Sequence, residues 1–187
     1  MIPRGTIRKV GDYYYSNPEY RKEIFRGLKE FFGENIPDND EPLFNEWMTY
    51  DFIFSDGKRM LEKFYEENPL SIPLYRREIY KTLLENYYGL FEVTKVVPLK
   101  SLSLRRLSDK KEFDVSEVSA TMDLEVGDVF VTRVAKIIDH YQLVGADGKA
   151  IKSSQSKSKK ERDIFINNLS LAKMDTPKDS YVFYKVF

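Results

Sequence analysis

The densest apolar stretch of the chain is Phe44–Phe54, FNEWMTYDFIF, interrupted only by Asn45, Glu46, Thr49 and Asp51. Read as one central helix it is apolar nearly all round, so other elements must cover it. Before it, Ile24, Phe25, Leu28, Phe31 and Phe32 fall at i, i+1, i+4, i+7 and i+8, a single stripe at helical spacing. Ser16-Asn17-Pro18-Glu19 reads as the start of that helix, with Ser16 as cap and Glu19 completing a capping box, and Gly33 ends it. Residues 1–15 read as a tyrosine-rich arm and 34–41 as an acidic loop. After a break at Ser55-Asp56-Gly57, Met60, Leu61, Phe64 and Tyr65 predict a third helix. Tyr75, Ile79, Tyr80, Leu83, Leu84 and Tyr87 predict a fourth, closed by Gly89.

At Gly89 the apolar period shifts from 3.6 to 2. Strands are expected over 90–97, 101–107, 112–115, 118–124, 128–138 and 141–145. The alternation is cleanest at 118–124, where Val118, Ala120, Met122 and Leu124 would share one face. Short strands at this spacing predict a small SH3-like or OB-like β-barrel. A basic linker follows, then a helix through Ile164, Phe165, Asn168, Leu169 and Leu171, and a final strand over Ser180–Phe187. The expected fold is α+β: a helical bundle over 1–88 packed on a barrel unit over 89–187, two halves that can form one compact body.

Composition narrows the chemistry. The chain has no cysteine and one histidine, His140, which removes disulfides, thiolate ligands and histidine-rich metal sites. No cofactor and no metal is expected. Thirty basic residues balance thirty acidic ones, so the global charge that favours nucleic acid is absent. The charge is uneven, with 13 basic and 16 acidic residues in 1–88 against 17 and 14 in 89–187. No leader-like pattern and no long apolar run appears, which points to a soluble cytoplasmic protein away from membranes. Nothing supplies a phosphate-binding glycine loop or an activated serine.

Two groups of residues carry the possible functions. Glu46 and Asp51 invite an acid/base reading, but five residues on a helix separate them by about 140°. Pairing with a barrel arginine, Arg105 or Arg133, fits such carboxylates better than a shared substrate. The second group is basic: Lys149, Lys152, Lys157, Lys159, Lys160 and Arg162 in the linker, extended by Arg105, Arg106, Lys110 and Lys111 on a hairpin. These residues could track a phosphate backbone, with Tyr141 stacking on bases, or simply form a solvated linker.

Three pieces of the chain together resemble a known pattern. Phe44, Glu46, Trp47, Tyr50 and Asp51 resemble an F-x-E-W helix signature; LSLRRLSDKKEFDVSE (102–117) resembles its strand pair; LEVGDVFVTRV (124–134) resembles its hairpin, with Gly127, Asp128 and Arg133. The combination is similar to a family of uncharacterised prokaryotic proteins often joined to a zinc-binding SEC-C motif. The cysteines of that motif are absent here, so the resemblance implies a helical-plus-barrel fold and no reaction. The function expected is a non-enzymatic binding or adaptor module contacting a protein partner. A nucleic-acid-binding accessory protein using residues 149–162 is the alternative, and a hydrolase built on Glu46 and Asp51 the second.

Overall fold

The computed structural model describes Pro3, residues 5–37, 42–145 and 174–186, and between these Ala150, Lys152, Lys160, Asp163, Ile164, Ile166 and Asn167, with side chains as far as Tyr181. Five helices precede the barrel: α1 (Thr6–Ser16), α2 (Arg21–Phe32), α3 (Pro42–Tyr50), α4 (Met60–Glu67) and α5 (Leu74–Leu83). Five strands follow, β1 (Asn86–Val97), β2 (Ser101–Arg106), β3 (Glu112–Ser116), β4 (Val129–Ile137) and β5 (His140–Leu143), then α6 (Pro177–Val186). The fold is α+β.

The N-terminal arm is a helix. Val10 and Tyr14, one turn apart, are fully buried, and that shared face is what makes α1 pay its way against the helical core. Ser16 closes α1, its hydroxyl donating to the Asp12 carbonyl, and Asn17 is the cap of the next turn, accepting from the Glu19 amide. The central helix is shorter than the apolar run. Both Asp51 and Phe52 donate their amides to the Trp47 carbonyl, which ends α3. The chain then extends, burying Phe52 and Phe54 and exposing Ile53, with Ile53 bridged to Arg59. From α2, Arg26 donates to the Ile53 carbonyl at 2.6 Å and Glu23 accepts from the Ser55 amide and hydroxyl, holding this loop in place. Trp47 sits against Phe31 and Phe52, ring centroids 5.3 and 5.0 Å away.

The strands close in the order β1-β2-β3-β5-β4. All neighbours are antiparallel except β3 and β5, parallel at Val115 and Tyr141. A five-stranded barrel with one parallel pair has OB-like order, not SH3-like. Phe91, Val93, Leu102, Leu104, Phe113, Val115, Phe130 and Val134 fill its interior. Residues 118–124 do not add a strand. The Glu117 carboxylate accepts from the amides of Val118 and Ala120, and the Thr121 hydroxyl donates to the Val118 carbonyl. These local bonds wind the segment into a short 3-10 turn, Ala120–Met122, and leave Val118 and Met122 exposed. The C-terminal segment is helical too, because Asp179 accepts from the Thr176 amide and hydroxyl just before Pro177. The shift of period placed at Gly89 lies inside β1, which begins at Asn86.

The outward face of β4 explains how the halves join. Val129 and Val131 pack under Ile166 and Met174, while Ala135 and Ile137 belong to the helical core. Between them, on the same face, stands Arg133.

In α2, Gly27 permits close approach: a Cβ there would overlap the Met48 sulfur, inside the core. Gly27→Ala is expected to destabilise the protein by about 1–3 kcal/mol through overpacking. Urea denaturation checks this, and an unchanged midpoint would show that Met48 has room to move.

Candidate functional site

Arg133 is 1% exposed, the largest fully buried side chain among the described residues. β4 carries it directly opposite Tyr88 of β1. Its Nε donates to Glu46 at 2.7 Å, and its two terminal nitrogens donate to the two carboxylate oxygens of Asp51. Nη1 also donates to the Asn86 side-chain carbonyl. The guanidinium lies 4.4 Å from the ring centroid of Tyr50 and 4.9 Å from that of Tyr88. Tyr88 in turn donates to the buried Ser180 hydroxyl of α6 at 3.0 Å. One planar cation thus ties α3, the α5–β1 junction and β4 together, with α6 attached through Tyr88.

The wide angular separation expected for Glu46 and Asp51 does not keep them apart. Asp51 lies just past the end of α3, where the backbone turns, and the arginine fork is wide enough to meet both carboxylates. Burial pushes the Asp51 carboxyl above the ordinary aspartate range in spite of Arg133. Tyr50, 1% exposed, has a hydroxyl with no hydrogen-bond partner, and burial raises its pKa. Asn86 and Tyr88 are not singled out by the sequence, and Tyr50 only as a member of the helix signature. Only the lone arginine inside the apolar run VFVTRVAKI pointed to them.

A cleft of about 580 Å³ opens beside this junction, between α1, α3 and the turn after β5. Glu46, Asn45 and Thr49 line it, with Asp12 and Arg8 at the rim, whereas Asp51 does not reach it. Gly145 closes over the junction, and a Cβ there would come within 2.7 Å of the Arg133 backbone nitrogen and 3.1 Å of Glu46 Oε1. Both carboxylates of the hydrolase reading are thus held by one guanidinium, and only one of them borders the cleft.

The basic set is divided. Lys149, Lys157, Lys159 and Arg162 lie outside the described residues. Arg105 donates to Glu92 at 2.7 Å. Arg106 pairs with Asp109, whose pKa that bond holds down at about 2. Lys111 lies 3.9 Å above the Tyr87 ring. Lys152 donates to the fully buried carboxylate of Asp128 at 3.1 Å and to the Asp123 carbonyl. Lys110 and Lys160 are exposed. The outward residues of β2 and β3 are Ser101, Ser103, Arg105, Glu112, Asp114 and Ser116, which place no aromatic ring where bases would stack. His140, on the β4–β5 hairpin, lies 2.7 Å from both Asp139 and Gln142. Gly127 and Asp128 form a turn, with Asp128 also accepting from the Glu125 amide. Among the described residues no group of carboxylate or imidazole side chains could hold a metal ion, and no helix is long and apolar enough to cross a membrane.

A different surface stands out at the barrel end away from the helices. The β1–β2 turn and the β3–β4 connection meet there, the Leu99 amide donating to the Thr121 hydroxyl at 2.8 Å. Leu99 and Met122 are 63% and 68% exposed, with Val118 and Val126 also exposed. Leu99 has φ 55°, a left-handed conformation unfavourable for a bulky residue.

The junction, the cleft floor and this barrel end all fall inside one profile match, which spans residues 19–169. The chain belongs to DUF7986, a family of unknown function. The DUF7986 match leaves out α1 and α6, the two elements that flank the helical core. No curated protein and no solved structure matches the chain.

Removing the guanidinium would strand the buried Glu46 and the half-buried Asp51 carboxylates, so Arg133→Met is expected to lose about 3–5 kcal/mol. Arg133→Lys should recover little, since one ammonium cannot replace three donors in a plane. Chemical denaturation reads both, and an Arg133→Met variant within about 1 kcal/mol of wild type would show the junction contributes little to stability. Asp51 also predicts a pH dependence. Its folded-state pKa is raised, so the fold binds this proton more readily than the unfolded chain. Its stabilising contribution is full below the ordinary aspartate pKa and is lost as pH rises through the raised value. Wild type should therefore gain in melting temperature relative to Asp51→Asn as pH falls from neutral to about 4. A constant difference across that range would contradict the assignment.

Proposed function

We propose that the chain is a non-enzymatic binding module that engages a protein partner through the barrel end formed by Leu99, Val118, Met122 and Val126. The observation that carries this is Leu99. A leucine in the left-handed region costs about 1–2 kcal/mol relative to a glycine, and here the strain projects an apolar side chain into solvent. Packing gives no return for it, whereas a partner covering the patch would. Backbone outliers of this kind concentrate at ligand clamps and binding sites. Met122 beside it adds a flexible, polarisable side chain suited to adaptable contacts.

Charge at this end is mixed: Asp123 and Glu125 are exposed on the 117–128 connection, Lys100 stands exposed beside Leu99, and Lys152 offsets the buried Asp128. The apolar side chains therefore carry the proposed contact. The resemblance to proteins joined to a SEC-C motif supports the same reading, since a unit that occurs linked to other modules is suited to holding them together. The cysteine-free composition fits action in the cytoplasm.

Leu99→Gly separates binding from stability. It should raise the unfolding free energy by about 1–2 kcal/mol by relieving the strain, and at the same time abolish capture of proteins that immobilised wild type retains from extracts of the source cells. Retention of the same proteins by the variant would sink the proposal. A parallel titration into single- and double-stranded DNA and RNA should show no binding at about 50 mM salt. Affinity that falls steeply by about 200 mM would favour the nucleic-acid reading instead.

A further inference from the structure

A second concavity, of about 490 Å³, lies in the helical half between α1 and the start of α5. Two helix faces build it. Arg76, Ile79 and Tyr80 share one face of α5 at i, i+3 and i+4, and Thr6 and Lys9 share one face of α1 at i and i+3. The Tyr80 hydroxyl donates to the Thr6 carbonyl at 3.4 Å, which ties the two helices together. The α4–α5 connection contributes Leu70 and Ile72. Asn68 fixes that connection, its side chain accepting from the Ile72 amide at 2.8 Å and donating to the Ile72 carbonyl at 3.1 Å. The groove is therefore built from parts already bonded to one another.

Its chemistry is one-sided. Leu70, Ile72, Ile79 and the Tyr80 ring make the lining largely apolar, and Leu70 is 47% exposed. The hydroxyls of the two facing helices are engaged, that of Tyr80 as described and that of Thr6 in donating to the Pro3 carbonyl at 2.7 Å. Apart from the Ser71 hydroxyl, polar recognition falls to the side chains of Lys9 and Arg76. Among the described residues neither meets a carboxylate within ion-pair distance, and no acidic side chain lines the groove. The acids nearest to them along the chain answer other cations: Asp12 lies 3.5 Å from Arg8, and Glu78 lies 3.9 Å from Lys81. Arg76 stacks over the Tyr75 ring at 5.5 Å, which leaves its donors outward. Two uncompensated cations thus border an apolar floor, one from each helix.

We propose that this groove binds an amphipathic carboxylate, a small molecule with an aliphatic body and one anionic head. The body covers Ile72, Ile79 and Tyr80, and the head lies between Lys9 and Arg76. The volume falls within the range of small-ligand sites. Burial of the body supplies the affinity, since each methylene taken out of water strengthens binding about fourfold. The cations supply the selection, because an arginine fork matches a carboxylate and repels an ammonium. The site shares no residue with the barrel end, and the assignment stands apart from the protein-binding reading.

Titration of the isotope-labelled full chain with decanoate and with decylammonium, both below their micelle concentrations and followed by amide resonances, tests this. Decanoate should shift the amides of Thr6–Lys9 and of residues 70–80 saturably. Octanoate should bind about tenfold more weakly for its two missing methylenes, and decylammonium about tenfold more weakly for its charge. Lys9→Glu and Arg76→Glu each should lower decanoate affinity about tenfold, and the double variant should prefer decylammonium. A reversed preference cannot come from a merely structural role of these two exposed residues. Arg76→Gln replaces Arg76→Glu if the latter loses its cooperative melt, and should weaken decanoate without favouring decylammonium. Equal binding of the two amphiphiles would overturn the proposal, as would shifts centred elsewhere, charge reversals without effect, or no binding of decanoate. Retention of the chain by phosphatidylglycerol vesicles without any decanoate shift would assign the cations to a lipid surface and likewise overturn it.

Discussion

Everything in this fold converges on a single buried cation. Arg133 occupies the middle of an otherwise apolar row on β4, at the seam where one part of the row is covered by the C-terminal segment and the other by the helices. A charge there is tolerated because Glu46, Asp51 and Asn86 accept four hydrogen bonds from it and two tyrosine rings lie against it. Apolar residues in place of Arg133, Glu46 and Asp51 all together could serve stability as well. What the arginine adds is registration. A helical layer slid along β4 would leave carboxylates and guanidinium facing hydrocarbon, so only one relative placement of the halves satisfies them all.

That requirement also accounts for what is left over for function. The carboxylates that looked most chemical in the sequence are consumed in joining the two layers. Arg105, Arg106 and Lys111 of the barrel hairpin are absorbed by Glu92, Asp109 and the Tyr87 ring, and Lys110 is left exposed. A closed barrel offers no unpaired edge for strand addition. An apolar surface that remains is the barrel end, where Leu99 faces water in a left-handed backbone conformation.

Much of the architecture was legible in the sequence, because the stripes of α2, α4 and α5 and the alternation of the first strands reflect one-sided burial. Errors arose where local hydrogen bonding overrode periodicity. Val118 to Leu124 alternates as well as any strand, yet Glu117 and Thr121 bond to the backbone and curl it. Ser180 onward is rich in β-formers, yet Thr176-Pro177-Lys178-Asp179 is a helix start, a signal present in the sequence and outweighed by composition. Tyr13, Tyr14 and Tyr15 suggested an arm, although Val10 and Tyr14 already had helical spacing. For the site, Arg133 was among the arginines expected to meet Glu46 and Asp51, but their joint convergence depends on where α3 stops. The exposed Leu99 patch was not foreseeable, since exposure and φ belong to the folded backbone and leave no pattern in the residues themselves.

The placement of Arg133 late in the chain bears on the order of assembly. Glu46 and its guanidinium are 87 residues apart, and Tyr88 and Ser180 are 92. During synthesis the helices emerge with two carboxylates destined for burial and no cation to meet them. Burying those carboxylates before β4 has been made would cost their hydration with no ion pair to offset it. The junction therefore makes the two halves depend on each other: the carboxylates of the helical half have their cation only when β4 is in place.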